Sequence, residues 1–355
     1  SSYAFQMFMY HDELNPDKPP EIYILVVAWY GVSPSSNQAI FALEEIARLQ
    51  KEEFPLAYTI LSEEIYVDDI LSGCDTEEER IQQIHEVKHV LASGGFHVKY
   101  VLKSGDSSED DNSIKILGYQ WNHLKDQLGP GFSELNFNRK KRGLKDPNPF
   151  PVSKPEDVSK LLQNLNISRR TVISKIAEFW EPLGIWEPFK VQLKLSAQAL
   201  NSYDWEKSLT PEMQEYWLSQ FQHFLELPKL SVNLYIFPQN AIYTNNIRLL
   251  CLSDAGAKCG GAAIYAGVML QDGTFSCQLI ASRSKLISFT IPRNELESIR
   301  LAANLAYEVK HALGDRVKDI SFFTDSSIAL SWCHNIKKKL RLFVLNRVSE
   351  IRRII

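Results

Sequence analysis

The chain has 355 residues, more than one ordinary core requires and enough for two or three domains of roughly 100 to 200 residues each. Its 45% apolar and 23% charged residues are the composition of a soluble globular protein, and no stretch reaches the roughly 18 uninterrupted apolar residues of a membrane span, so no membrane partner is expected. A formal net charge of −4 excludes grip on nucleic acid by bulk positive charge, which shows as a strongly basic domain.

Two local basic clusters remain, Arg139, Lys140, Lys141, Arg142 and Lys145, then Lys337, Lys338, Lys339, Arg341 and Arg347. They serve equally as binding patches or as solvated faces. The five cysteines are an odd, scattered set without a C-x-x-C pair, which argues against a disulfide framework or zinc site and for a reducing intracellular setting. The first residues, Ser-Ser-Tyr, lack a signal pattern, and the closing Ile-Arg-Arg-Ile-Ile reads as the middle of a helix, so both ends are expected to be cut from a longer chain.

In chain order, Ile22 to Trp29 is an apolar run that suits a buried strand. A helix is predicted to follow, with Ile40, Leu43, Ile46, Ala47 and Leu49 on nearly one face. Ile65 to Leu71 reads as two short strands with Asp68 and Asp69 at the bend. Thr76 to Ser93 has helical period, three acids in its first turn and Gly94-Gly95 at its end. Strands are predicted at Phe96–Leu102 and Ile114–Trp121, separated by an acidic polar loop.

Gly129 to Pro155, rich in Gly, Pro, Asn and basic residues, is the expected linker. Beyond it Ser153 and Glu156 form a candidate capping box. Thr171 to Trp180 is a helix stopped by Pro182, and another opens at Thr210-Pro211 and carries Tyr216, Trp217, Phe221, Phe224 and Leu225 inward. Strands return at Ile247–Leu252, Gly261–Leu270 and Thr274–Ala281, with Asp272-Gly273 as a hairpin turn. A long helix from Pro292 buries Leu296, Ile299, Ala303, Ala306 and Val309. A strand, Val317 to Phe323, ends at Thr324-Asp325, and helices follow at Ser327–Cys333 and from Phe343.

In that last section Asp254 ends the first strand, Glu295 lies in the opening turn of the long helix, and Asp325 ends the fourth strand. Each acid alone is explained as a turn or cap residue. Together, within the order β-β-β-α-β-α, they suit two-metal hydrolysis of a phosphodiester, which needs converging carboxylates, and magnesium suits an all-oxygen site. Paired Asp68 and Asp69 at a hairpin bend suit nucleotidyl transfer for the same reason.

The stretches "LSDAGAKCGGAAIYAG", "SRSKLISFTIPRNELESIRLAANLA", "FFTDSSIALSW" and "FVLNRVSEI" resemble the ribonuclease H-like region of BEL/Pao retrotransposon polyproteins over roughly residues 247 to 355. The resemblance implies that Asp254, Glu295 and Asp325 are the first three members of the family's acidic site. It places the fourth acid and a final strand past Ile355. "AWYGVSPSSNQAIFAL", "YVDD", "GGFHVKYVLKSG" and "ILGYQWN" resemble the back half of the family's reverse transcriptase palm. By that resemblance Asp68 and Asp69 bind catalytic metal, and Tyr66, Gly31 and Gln38 contact primer or nucleotide. The remaining palm aspartate is expected before Ser1, so the chain by itself is not expected to synthesise DNA. "SKIAEFWEPLGIWEPFKVQLKLSAQAL" resembles the connecting region, although the usual F-D-P-L-G is here Phe179-Trp180-Glu181-Pro182-Leu183-Gly184.

The resemblance thus implies a multi-domain α+β and α/β chain: a partial palm over 1–128, a linker and helical connection over 129–240, and a ribonuclease H-like mixed sheet with helices over 241–355. The implied cofactor is Mg2+, with Mn2+ as a substitute. The partners it implies are RNA template, DNA primer, RNA/DNA hybrid, deoxynucleoside triphosphates and other Pol polyprotein segments, in cytoplasmic retroelement particles. Two alternatives stand beside this reading. One is a decayed or domesticated nucleic-acid-binding scaffold. The other is a Pao-type aspartic peptidase, whose paired acids usually sit in Asp-Thr/Ser-Gly turns, a pattern that Asp254-Ala255-Gly256 and Asp325-Ser326-Ser327 fit poorly.

Overall fold

The computed structural model describes residues 7–10, 18–24, 35–66, 69–106, 113–131, 135–136, 151–152, 154, 157, 167–227, 230–235, 238, 241, 246–334 and 339–354. Its architecture is mixed α/β, in two compact units, Ser1–Leu102 and Lys103–Ile355.

In the first unit, β1 (Met7–Tyr10) and β2 (Glu21–Ile24) pair antiparallel, Met7 opposite Ile24. Of the buried strand expected over Ile22–Trp29, the described residues Ile22, Tyr23 and Ile24 are exposed. Among the described residues this ribbon has no further ladder, and residues 25–30 lie outside them. Helix α1 (Ser35–Leu49) buries Ala47 and turns Leu49 outward, against the expected single face.

Helix α2 (Pro55–Glu63), which the periodicity did not announce, starts with proline where the missing N–H costs nothing. It leads into the hairpin of β3 (Ile65–Tyr66) and β4 (Asp69–Ile70), which pairs Tyr66 with Asp69. Helix α3 (Glu77–Ser93) is capped by the Thr76 hydroxyl, which accepts from the Glu79 N–H. Its buried Glu86 carboxylate accepts from the N–H groups of Leu56 and Ala57 at 3.0 and 3.2 Å, and so caps α2 from a neighbouring helix. Ala47, Ala57, Leu61, Val90 and Leu91 form the small core. The strand expected at Phe96–Leu102 has no ladder among the described residues. Phe96 instead folds back on this core, its N–H donating to the Leu91 carbonyl.

The second unit opens on a meander. The single strand expected at Ile114–Trp121 is a hairpin of β5 (Ser113–Ile116) and β6 (Tyr119–Asn122). Leu117 and Gly118 turn it with φ of 45° and 87°, the two positive values a primed hairpin turn demands. Next come β7 (Gln127–Pro130) on β6, and a short pair, β8 (Leu135–Asn136) with β9 (Pro151–Val152), inside the expected linker. The first basic cluster and the Ser153/Glu156 box lie outside the described residues.

Helix α4 (Arg169–Glu178) begins at a capping box of Ser168 and Thr171. Helix α5 (Glu187–Ala197), inside the stretch expected to be helical connection, and α6 (Pro211–Glu226) complete the helical section, and β10 (Val232–Asn233) joins β7. Trp217, Phe221 and Leu225 of α6 are buried, while Tyr216 is 40% exposed, a correction to its expected inward face. Tyr119 and Leu128 of the meander pack in the same core as Val172, Leu193, Leu200 and Trp217, so these strands share their apolar face with the helices.

The last section is a four-stranded sheet in the order β13-β12-β11-β14. Strands β11 (Ile247–Ala255), β12 (Cys259–Met269) and β13 (Phe275–Leu286) run antiparallel in sequence. Helix α7 (Ile291–Leu313) then crosses over, and β14 (Val317–Phe323) pairs parallel to β11. Helices α8 (Ser327–His334) and α9 (Leu342–Ile354) follow. Period-2 alternation places Ile247, Leu249 and Cys251 of β11 in the core beneath Leu305 and Ala306 of α7. Leu296, Ile299 and Ala303 pack on Val344, Val348 and Ile351 of α9.

A tight joint ties this sheet to the helical section. The Tyr119 hydroxyl donates to Glu181 and accepts from the Leu183 N–H, both at 2.7 Å. The Ser282 N–H donates to the Leu183 carbonyl, and its hydroxyl to Gly184. Glu181 is buried and accepts also from the Ile185 N–H, which accounts for an acid at this point of the run. Among the described residues no helix is long and apolar enough to cross a membrane.

Candidate metal centre

Parallel pairing of β11 with β14 brings their carboxyl ends side by side, and the Ser253 hydroxyl donates to the Phe323 carbonyl across them. Asp254 stands at the end of β11, exposed. Asp325, also exposed, follows β14 in a turn held by the Ser326 N–H on the Thr324 hydroxyl; the Ser326 hydroxyl in turn accepts from Ala329 at the start of α8.

Helix α7 starts at Ile291, so Glu295 lies one turn further in than the opening turn expected of it. The consequence is burial: Glu295 is 6% exposed, on the face of α7 that meets the sheet. One carboxylate oxygen from each of Asp254, Glu295 and Asp325 falls within 4.8 Å of the others.

This grouping is electrostatically unfavourable for a bare protein. Burial, then the nearby Asp254 and Asp325 carboxylates, push the Glu295 carboxyl above the ordinary carboxylate range, and the nearby Ala255 N–H offsets this only in part. Glu295 Oε2 is buried and has no hydrogen-bond partner among the described residues. Three grouped carboxylates, one of them with an orphaned buried oxygen, are a donor set for a hard divalent cation, which takes all-oxygen ligands.

The first unit places its candidates differently. Asp69 is exposed on β4 opposite Tyr66, which is 55% exposed, and Gln38 is exposed on α1. Asp68 and Gly31 lie outside the described residues. The three acids of the second unit are therefore brought together, while for the first unit the structure gives the hairpin and one of its two aspartates.

Beside the acidic cluster runs an ion network absent from the reading of the sequence. Glu297 accepts from Arg347 at 2.7 Å and from Arg300 at 3.1 Å, and Arg300 also reaches Glu350 at 2.9 Å, so α7 is clamped to α9. Burial alone would push the Glu297 carboxyl up, but Arg347 and Arg300 outweigh it and hold the group below its ordinary value. The i, i+3 pair of Glu297 and Arg300 was a visible signal. Its distant partners, Arg347 and Glu350, were not. Of the second basic cluster, Lys337 and Lys338 lie outside the described residues, Arg347 is spent in this network, and its guanidinium also stands 3.8 Å over the Phe343 ring.

Residues 168–326 match the family model of the Pao retrotransposon-like RNaseH-like domain, a span that includes the helices α4 to α6 as well as the three clustered acids. No curated protein matches the chain. Among solved structures it is similar to a foamy viral protease-reverse transcriptase in complex with double-stranded DNA. The identity is 16% and the TM-score 0.46, over 86% of this chain and 47% of that one. It is also similar to RNase H1 from the halophilic archaeon Halobacterium salinarum NRC-1, at 15% identity and TM-score 0.22 over 31% of this chain and 76% of that one. A third similarity is to the native prototype foamy virus protease-reverse transcriptase, at 16% identity and TM-score 0.22, covering 98% and 39%. The chain spans about half the length of the foamy viral structure first compared. Residues 168–326 are thus similar to the Pao retrotransposon-like RNaseH-like domain, over a span that takes in the four-stranded sheet and the three acids.

Proposed function

We propose that the second unit is a divalent-metal nuclease that cuts the RNA strand of an RNA/DNA hybrid, with Asp254, Glu295 and Asp325 as its metal ligands and catalytic acids. The observation that carries this reading is the convergence of three carboxylate oxygens within 4.8 Å of one another, one of them from the buried Glu295, whose Oε2 has no partner among the described residues. Magnesium held there, or manganese in its place, would stabilise the attacking and leaving oxygens of the scissile phosphodiester. The chain's own part is positional. The ends of β11 and β14 present Asp254 and Asp325 to solvent, where a backbone phosphate arrives, and α7 supplies Glu295 from beneath.

The test is cleavage of a labelled RNA/DNA hybrid in magnesium by this chain extended through the natural polyprotein sequence, beside Asp254→Asn. Metal-dependent cutting of the RNA strand that disappears in the variant is the expected result. A folded protein that cuts neither with magnesium nor with manganese leaves the decayed or domesticated scaffold as the better account.

A second activity rests on the β3–β4 hairpin, which pairs Tyr66 with Asp69 and leaves Asp69 exposed at its bend. The first unit is read as reverse transcriptase palm, with Asp68 and Asp69 as metal ligands and Tyr66, Gly31 and Gln38 toward primer or nucleotide. Its partners would be RNA template, DNA primer and deoxynucleoside triphosphates, within particles formed with other Pol segments. Primer extension by the parent polyprotein, abolished by Asp69→Asn, is the corresponding measurement.

A further inference from the structure

The amide of Asn294, wholly buried beside Glu295, has all its near partners in the segments that carry the acids. Its Oδ1 accepts the Phe289 N–H at 2.9 Å. Its Nδ2 donates to the Gly256 carbonyl at 2.9 Å and to the Ala257 carbonyl at 3.3 Å. The first contact fastens the chain that leads into α7. The other two fasten the turn that leaves β11 just after Asp254, a turn closed by the Gly256 N–H on the Cys259 carbonyl. Glu295 follows on the same turn of α7, with the Ala255 N–H near enough to favour its charged form. One residue of α7 thus holds two consecutive residues, Gly256 and Ala257, of the turn that follows the strand end carrying Asp254.

From this arrangement we propose that Asn294 is a positioning residue of the metal centre: it fixes the spacing of the Asp254 and Glu295 carboxylates against their mutual repulsion, so that the cation meets a preformed site. The inference rests on the reading of the acidic cluster as a metal site. A carboxamide suits the task because it offers acceptor and donors together in one rigid plane. Alanine at this position would leave two carbonyls and one N–H without their buried partner and would free the 255–257 turn to relax away from Glu295.

Positioning of ligands is read by the affinity of the metal alone. Mn2+ is titrated into the full chain, and free ion is followed by its electron paramagnetic resonance signal, for the wild type, Asn294→Ala and Asp254→Asn. Binding that is lost in Asp254→Asn is the binding at this centre. Asn294→Ala, with its secondary structure checked by circular dichroism, is expected to weaken that binding about tenfold or more, the scale on which residues that orient metal ligands act. In a Glu295→Gln background the same substitution is expected to change it by less than about twofold, because a positioning effect needs the ligand it positions. A purely structural role would lower stability equally in both backgrounds and leave the affinity of the folded protein alone. Where Asn294→Ala fails to fold, Asn294→Thr, which keeps one donor toward the turn, carries the same titration. Wild-type affinity in the folded Asn294 variants, with Asp254→Asn weakened, overturns the positioning role alone. Equal binding by the wild type and Asp254→Asn overturns the metal centre and this inference with it.

Discussion

Asp69 and Glu295 are both acids beside a strand end, and they cost the protein different amounts. Asp69 stands in water on a two-residue ladder, where a charged side chain is free to remain solvated. Glu295 is buried next to two other carboxylates, with one oxygen unpartnered, and the fold supports it with a 23-residue helix and a four-stranded sheet. An exposed acid is compatible with almost any role. A buried acid crowded by two like charges persists against desolvation and repulsion, and so calls for a counter-charge.

The largest effect that would test this contrast is on catalysis. Asp254→Asn is expected to reduce magnesium-dependent cutting of hybrid RNA by at least about a hundredfold, the scale of losing one electrostatic contact at a reacting centre. A loss of less than a few-fold would remove Asp254 from the site.

Next is the clamp behind the cluster. Glu297→Ala leaves Arg347 and Arg300 without their shared buried partner, with side-chain exposures of 28% and 25% against 2% for Glu297. Because the arginines are partly hydrated, about 2 kcal/mol of stability is expected to go, below the roughly 3 to 5 of a wholly buried pair. Urea unfolding measures it, and no change in midpoint would mean the network is idle.

At the joint, Gly184 has φ of 79°, and a Cβ there would lie 1.7 Å from the Ser282 carbonyl oxygen. Gly184→Ala should therefore cost about 1 to 3 kcal/mol, since backbone rather than a flexible side chain must move. In the first unit, Glu86→Ala should cost about 1 kcal/mol by uncapping α2, with hydrogen exchange rising at Leu56 and Ala57. Unaltered exchange at those amides would show that water replaces the cap.

The smallest effect has the opposite sign. In metal-free buffer near neutral pH, Glu295→Gln should raise stability slightly, by removing one of three crowded charges. The folded-state pKa of Glu295 is raised, so the folded protein takes up this proton more readily than the unfolded chain. The wild type therefore gains stability as pH falls through that raised value, and the advantage of the variant should shrink over the same range. Added magnesium should raise the melting temperature of the wild type more than that of Glu295→Gln. Equal shifts would place the ion elsewhere.

Much of the last section was legible because its signals are local. The alternation along Ile247–Cys251, the Asp272-Gly273 turn and the apolar stripe of Leu296, Ile299, Ala303 and Ala306 each lie within one element. Elsewhere short-range reading failed for identifiable reasons. Leu117-Gly118 sits inside an apolar run, and only its positive φ values reveal two strands rather than one. Helix α2 receives its N-terminal acceptor from Glu86, some thirty residues on, where no local cap motif points to it. Ile22 to Ile24 look like core, yet apolar character does not supply a covering layer.

By itself the sequence determined which residue types stand where: three acids in the order strand end, helix, strand end, and a Tyr-Val-Asp-Asp bend between apolar strands. Both follow from periodicity and chain order, which are properties of neighbours. Only the tertiary structure decided that Glu295 is buried with an orphaned oxygen, that Asn294 holds the turn beside Asp254, and that Glu297 recruits Arg347 across fifty residues. Those facts depend on the parallel pairing of β11 with β14 and on the seating of α7 against the sheet. Each is a contact between segments far apart in the chain, which hydrophobic period and capping signals, being local, do not encode.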